Sequence, residues 1–542
     1  MELTKPYING RWIETGKTFR SLNPSTGEVF LEIHEVSENL VEEAFSSASA
    51  FYRKWKDTSF DERESLLASV KDVLISKGEE IAKIIAMEQG KPVSEAFTVE
   101  VLPSIDALDF YINRGRVYLD ELKVRYWQVL FRDKKGYYRF DPLGVIGVIS
   151  PWNYPFIIPF LDILASVFTG NTVILKPSST TAAIGLTIAN LFYEAGAPPG
   201  LVSVLTGRSS VGEAVIRHPE TRVIMFTGSV ETGKRVMSLA SEGLKEVVLE
   251  LGGKDPAIVM EDVDIERAIR GIVWGAFMNA GQTCASIERV YVHERIFDVF
   301  MDGIVEFTQK LEVGDPLDPD TEIGPMTTES QRILVEAHIE DAKEKGARVV
   351  YGGNRVGDRG FFLQPAILSG VNHEMVIMRD ETFGPVLPVM KFSSIDEAIR
   401  LANDSSYGLT ASIWTRDRSL ARRVAERLET GTVTINDHVF SFGEPEGAWG
   451  GVKFSGIGRT HGRFGLLELT NIKFVSEDFS IRESQLWWYP YDKELLSIAR
   501  LSGHAMYGHS KFRYLLKMLP FFGRLKKTTS IVNLLKNWRR FF

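Results

Sequence analysis

The chain has 542 residues, 44% hydrophobic and 25% charged, a balance that fits two or three globular domains and excludes collagen-like and disordered chains. Its one cysteine, Cys284, leaves no internal disulfide to form, and the start MELTKPYINGRW lacks a basic segment followed by an apolar one, so a cytoplasmic protein without a secretory leader is expected. The net charge of −8 hides an asymmetry: ten basic residues and no acid follow Glu494, which leaves −18 on the body before them.

The first segments read as helices, with amphipathic patterns at Leu40–Trp55 and 62–87. LKVRYWQVLFRDKKGYYRF then alternates like a β-hairpin around Asp133–Gly136, and a lone hairpin needs a further strand or subunit. From Gly144 short β-rich runs (GVIGVIS, NTVILKP, LVSVLTG, VIMFTGS, EVVLELG) alternate with helical segments, which predicts a parallel, doubly wound α/β sheet. A second alternating series (DPAIVM, RVYVHE, ARVVYGG, PVLPVMKF, LTASIWT, GTVTIND) predicts a second α/β domain. The longest apolar stretch, 155–175, is broken by Pro159, Asp162, Gly170 and Asn171, so no membrane-spanning segment is expected there. The nine histidines show no paired metal-ligand spacing, and no metal site is expected.

Chemistry has three anchors. Cys284, in NAGQTCAS, stands among small residues that leave room for a carbonyl, although a lone cysteine is more often a small buried hydrophobe. Glu250, in LELGGKDP, is a strand-end carboxylate whose burial would raise its pKa into the range of a general base; its plain alternative is a lysine-paired surface acid. Asn153, in SPWNYPF, is held between two prolines and could donate to an oxyanion, or simply form a turn. A fourth segment, FTGSVETGKRV, nearly matches the phosphate-binding loop of nucleotide triphosphatases. Arg235 stands where that loop requires a magnesium-binding hydroxyl, so a strand-to-helix turn for a dinucleotide pyrophosphate is the better reading.

Together SPWNYPF, VILKPSSTT, FTGSVETGKRV, LELGGKDPAIV, NAGQTCASIERV, ETFGPV and GGVKFSGIGR, in this order and spacing, resemble the NAD(P)-dependent aldehyde dehydrogenase superfamily, from about Tyr7 to about Asp478. The resemblance implies an aldehyde dehydrogenase-like α/β fold: two doubly wound domains, a β-hairpin oligomerisation arm, and here a C-terminal amphipathic helical tail. Residues 1–122 and 142–247 would bind the cofactor, 248–436 carry catalysis, 123–141 and 437–478 form the oligomerisation region, and 479–542 the tail. It further implies that Cys284 attacks the aldehyde, that Asn153 and the Cys284 amide hold the oxyanion, and that Glu250 activates the water that hydrolyses the thioester. For NAD or NADP it implies Lys176 at the adenosine ribose, Gly228 and Ser229 at the pyrophosphate, and Glu381 and Phe383 at the nicotinamide, with Trp152 close by. Ser179 departs from the glutamate common in strongly NAD-preferring members, so NADP is not excluded by charge. Family members are dimers or tetramers, so at least a homodimer is expected.

Beyond Phe479 the resemblance ends. Phe512, Leu515, Leu516 and Leu519, then Ile531, Leu534, Leu535 and Trp538, recur at i, i+3, i+4, i+7 on two basic helices joined at 520–523. With Phe541 and Phe542 they predict a surface, residues 510–542, for an anionic membrane, the alternative being an arm on an acidic neighbouring subunit. A membrane-facing enzyme would take an apolar aldehyde, long-chain or terpenoid, in a pocket of Tyr154, Ile157, Ile158, Leu161, Thr283 and Trp449. The alternatives are a dehydrogenase of small aldehydes or semialdehydes, an idle membrane scaffold, and a non-redox cysteine acyl-transferase. Nucleic acid is not an expected partner, because the tail is amphipathic rather than a basic groove.

Overall fold

Five strands buried on both faces form the centre of an eight-stranded sheet, as continuous apolar runs require when helices cover each side. In spatial order they are Glu246–Glu250, Thr221–Thr227, Val145–Ile149, Thr172–Lys176 and Val202–Val204, all parallel. The chain runs outward from Val145–Ile149 in one direction and then returns to its other side. A topological switch point therefore lies between that strand and Thr221–Thr227, where a crevice opens at the carboxyl ends. A second, seven-stranded sheet takes Asp255–Val259 and Ile287–His293 at its centre, and all its strands are parallel except Arg348–Tyr351.

The computed structural model describes residues 1–128, 131, 133–480 and 482–528. They divide into two compact units, residues 1–119 with 142–470, and residues 120–141 with 471–542. In the large unit the expected helices span Glu38–Trp55 and Phe60–Glu88, the second opened by a reciprocal Ser59/Glu62 capping box. The expectation of an all-helical start is corrected. Tyr7–Ile8 and Arg11–Trp12 extend the first sheet, and Thr18–Asn23 pairs with Glu28–His34 as a hairpin. These strands are short: Thr18–Asn23 turns only Phe19 and Ser21 inward and Glu28–His34 only Ile33, which gives the sequence little period to show. Residues 437–470 also belong to this unit, where Gly456–Ile457 pairs with Glu246–Glu250.

In the small unit, Leu122–Val124 and Lys134–Pro142 are antiparallel, and Thr470–Asp478 completes a three-stranded sheet. The turn is not at Asp133–Gly136: Gly136 pairs with Val124, inside the ladder. A Cβ there would lie 2.8 Å from the Tyr126 hydroxyl, so this glycine marks a close approach and not a turn. The tail also differs from a plain pair of helices. A helix at Lys493–Tyr507, capped by Asp492, precedes the predicted one, which spans only Lys511–Lys517 before a 3₁₀ turn and the helix Phe522–Thr528. The expected apolar stripe splits: Leu515 packs against the cluster of Ile498, Ala505, Met518 and Leu525, while Phe512, Leu516 and Leu519 stay exposed. Ile531, Leu534, Leu535, Trp538, Phe541 and Phe542 lie outside the described residues. Among the described residues no helix is long and apolar enough to cross a membrane.

Candidate active site

Glu250 closes a strand of the first sheet, and five residues on Asp255 opens a strand of the second. The Gly252–Gly253 link between them brings the carboxyl edge of one sheet to the amino edge of the other. Asn153 follows Val145–Ile149 by four residues and Cys284 precedes Ile287–His293 by three, so loops from both sheets deliver their side chains to this seam. Two cavities, of ≈ 1000 and ≈ 740 Å³, are both lined by Cys284. The lone thiol therefore stands where they meet.

The loop that presents Cys284 is strained. Asn279, Ala280 and Gly281 have φ of 54°, 52° and 72°, a left-handed run that non-glycine residues rarely adopt. A Cβ on Gly281 would lie 2.1 Å from the Gly384 carbonyl oxygen. A buried amide network holds the run in place. Asn279 Nδ2 donates to the Asn153 carbonyl (2.9 Å) and the Gln282 carbonyl (3.1 Å), Gln89 Nε2 donates to Asn279 Oδ1 (2.8 Å), and Thr327 N donates to Gln282 Oε1 (2.9 Å). Asn153 is 3% exposed and Nδ2 donates to the Gln282 carbonyl at 2.9 Å, which leaves its second amide hydrogen for another acceptor.

The seam is crowded with buried carboxyls. Burial, then the carboxylates of Glu250, Glu381 and Asp255, push the Cys284 thiol far above its ordinary pKa. Glu250 is 6% exposed and neither carboxylate oxygen has a hydrogen-bond partner of full geometry, although the Trp449 side chain lies beside it. Its pKa is pushed up to about 8 by burial and by Asp162, against the opposing influence of Arg459. Gly450 backs onto this carboxylate, where a Cβ would come within 2.8 Å of Oε1. The surroundings thus keep this carboxyl desolvated, with the Trp449 side chain beside it.

The smaller cavity occupies the switch-point crevice, and every residue expected at the cofactor lines it: Trp152, Lys176, Ser179, Gly228, Ser229, Glu381 and Phe383. Lys176 ends the strand Thr172–Lys176, and burial lowers its pKa to about 8. Ser229 caps the helix Val230–Ser241 by accepting from Thr232 N, and Gly228 N donates to the Glu250 carbonyl at 3.0 Å. The donors facing an incoming phosphate are then the first-turn amides of that helix, which have no intrahelical partner. Glu381 accepts from Gly253 N at 2.9 Å, and Trp152 meets Phe383 edge to face at 5.4 Å. This set, a buried cation, a helix N-terminus, a carboxylate and an aromatic pair, fits the ribose, pyrophosphate and ring of a nicotinamide dinucleotide. Lys234, the lysine of the apparent phosphate loop, instead sits 4.9 Å from the Phe454 ring.

The larger cavity takes Tyr154, Ile158, Thr283 and Trp449 from the expected pocket, and the Tyr154 hydroxyl is 2.8 Å from Thr283 Oγ1. Ile157 and Leu161 are corrected: both are buried on the helix Ile157–Phe168 and neither lines the cavity. Sequence reasoning placed them there because they neighbour Asn153 in the chain, but a helix turns successive residues to different sides. Phe277, Phe307, Phe442 and Trp274 supply further aromatic wall. The charged groups on the wall are Arg270 and five carboxylates, Glu95, Asp106, Asp320, Glu322 and Glu444.

Residues 12–475 match the model of the aldehyde dehydrogenase family. The protein belongs to that family. This aldehyde dehydrogenase is 35% identical to the mitochondrial succinate-semialdehyde dehydrogenase of Arabidopsis thaliana over 476 residues, covering 87% of this chain and 89% of that one. It resembles the crystal structure of an E. coli NADP-dependent enzyme (33% identity, TM-score 0.84, 88% of this chain and 98% of that one). It also resembles the NAD+ complex of an aldehyde dehydrogenase from Bacillus cereus (34% identity, TM-score 0.84, 88% and 97%). The enzyme is NAD(P)-dependent, and the expected α/β fold stands.

One buried residue beside this dehydrogenase's cavities is not among those the sequence motifs single out. Glu288, four residues past Cys284 and 2% exposed, accepts from Thr382 N and Phe383 N at 2.8 Å each and pairs with Lys254 at 2.5 Å, so it fixes the Glu381–Phe383 turn. The available signal was a carboxylate inside a fully buried strand, which needs a partner. Ser179 lines the smaller cavity without adding charge. Ser179→Glu is expected to weaken NADP+ binding at least about tenfold through repulsion of its extra phosphate and to leave NAD+ binding within about threefold, as read by fluorescence titration.

Proposed function

We propose that this enzyme oxidises a small aldehyde to its carboxylic acid through a covalent intermediate on Cys284. The observation that carries the reading is the position of Cys284 on both cavities, with the buried Glu250 carboxyl near enough to raise the pKa of the thiol. Bound NAD or NADP supplies the hydride acceptor. The Cys284 sulfur adds to the aldehyde carbon, its proton leaving to solvent or to a neighbouring carboxylate, and the Asn153 amide and Cys284 N–H receive the developing oxyanion. Loss of hydride from that carbon leaves a thioester. Glu250 takes a proton from water, the resulting hydroxide adds to the thioester carbon, and the C–S bond breaks to return the thiol and release the acid. A free acid is favoured over acyl transfer because a buried carboxyl, its pKa raised into the range of a general base, acts electrostatically on the thiol.

For the substrate, the reading with more support is a small aldehyde or semialdehyde. The 35% identical relative is named for a semialdehyde, while the names of the relatives given above do not support the long-chain, membrane-dissolved aldehyde expected from the tail. Arg270, 5.3 Å from the Phe307 ring, is the cation a distal carboxylate would meet. Rates with acetaldehyde, hexanal, dodecanal and succinate semialdehyde test this. The proposal expects the semialdehyde to lead, and Arg270→Ala to raise its KM about tenfold or more while sparing acetaldehyde; rates rising steadily toward dodecanal would sink it. We further assign the strand Thr470–Asp478, with Ile472 and Phe474 exposed, to a subunit contact of a homodimer or tetramer, and keep the division into cofactor, catalytic and oligomerisation parts as the working assignment of roles.

A further inference from the structure

Beneath the Asn153 loop lies an ion pair that stability does not account for. Lys91 and Glu100 have fully buried side chains and form a salt bridge, Lys91 Nζ to Glu100 Oε1. Removing two charges from water costs several kcal/mol per ion, so apolar residues of similar size would stabilise the fold as well or better. Such a pair implies a task that needs its geometry. Glu100 reaches its place through a local irregularity, the π-helical turn Phe97–Val101 between the α-helical turns Val93–Ala96 and Leu102–Arg114. Single π-turns of this kind occur mostly at functional sites.

Both residues grip the segment that follows Trp152. Glu100 Oε2 accepts from Phe156 N at 3.0 Å and Ile157 N at 3.1 Å, capping the helix Ile157–Phe168 with a negative charge. Lys91 Nζ donates to the Asn153 carbonyl at 3.2 Å and lies 3.7 Å from the centroid of the Tyr154 ring. The same Asn153 carbonyl accepts from Asn279 Nδ2, in the left-handed run before Cys284, and the Tyr154 hydroxyl reaches Thr283. The Lys91 backbone joins this network too, its N–H donating to Gln89 Oε1 at 2.9 Å while Gln89 Nε2 holds Asn279. The side-chain contacts to the Asn153 segment, and through it to the run before Cys284, tie together the two loops that must hold their spacing as charge develops on the substrate oxygen.

We propose that Lys91 and Glu100 are positioning residues for the oxidation step, a buried clamp that fixes the Asn153 carboxamide relative to Cys284 and so sets the oxyanion site. This rests on the reading of Asn153 as the oxyanion donor. Misplacing such a donor weakens an interaction made in the transition state and hardly at all in the ground state, so the loss falls on kcat and not on KM.

The test is Lys91→Met/Glu100→Gln, in which both charges leave together and the glutamine carbonyl remains for the Phe156 and Ile157 amides. Glu100→Gln alone strands a buried cation, which can unfold the chain, so the double variant is the deciding one. The expected result is a kcat lowered by about 10- to 100-fold, with the KM for aldehyde, the fluorescence-titrated affinity for NAD+ or NADP+, and the melting temperature all near those of the parent. Parent-like kcat would overturn the proposal, as would a loss accompanied by equal losses in cofactor binding and melting temperature, which would make the pair structural only. Asn153→Ala measured alongside separates the two claims. Full activity in that variant removes the oxyanion reading itself, whereas an inactive Asn153→Ala with an active double variant removes the clamp alone.

Discussion

Glu250→Gln is expected to release one equivalent of NADH or NADPH per active site and then nearly stop. If Glu250 serves only in hydrolysis, acyl-enzyme forms at its usual rate and turnover falls by about 10²- to 10⁴-fold, the range of a lost general base. The pH dependence separates this from a general loss of activity. Burial, and Asp162 next, raise the Glu250 pKa to about 8, and the base works only as carboxylate. Steady-state turnover limited by hydrolysis should therefore rise with pH through about 8, and that limb should be missing in the variant. Asp162, itself buried and raised to about 8, adds a direction: Asp162→Asn removes a repulsion, so the limb moves to lower pH. A Glu250→Gln enzyme that loses its burst along with its turnover would place this carboxyl in the oxidation step instead.

Cys284→Ala should abolish oxidation outright, a loss in kcat/KM of at least about 10⁴-fold, with cofactor binding retained. The chain has no second cysteine to substitute for it. Because burial and the surrounding carboxylates keep the thiol protonated in the free enzyme, its alkylation by iodoacetamide should be slow there and speed up when the positively charged nicotinamide ring of NAD+ or NADP+ is bound. Alkylation unaffected by cofactor would count against the thiol's place between the two cavities.

Much of this site is legible in the sequence because its parts hang from strand ends. The runs ending at Ile149, Lys176, Thr227 and Glu250 have apolar centres, as strands covered on both faces must, so their ends and the loops beyond them can be read off directly. What could not be read was whatever depends on distant packing. The Lys91–Glu100 pair becomes a contact only through a π-turn, and Glu288 acquires its role only once the Thr382–Phe383 turn folds over it. Asn279 and Ala280 take left-handed angles that their identities do not announce. Ile157 and Leu161 failed as pocket residues for a related reason, since closeness in the chain says little about which way a helical residue faces. The tail's stripe was real as a pattern, yet the helix Lys511–Lys517 turns Leu515 into a local core and leaves Phe512 and Leu516 outside it.

The covalent intermediate is the centre of the account, and intact-mass analysis of Glu250→Gln, quenched after its burst with aldehyde and NAD+ or NADP+, addresses it most directly. The predicted result is protein heavier by the aldehyde less two hydrogens, the mass of a thioester formed after hydride loss, with fragmentation placing it on Cys284. Protein of unchanged mass after a full burst, or an adduct on any other residue, would contradict it.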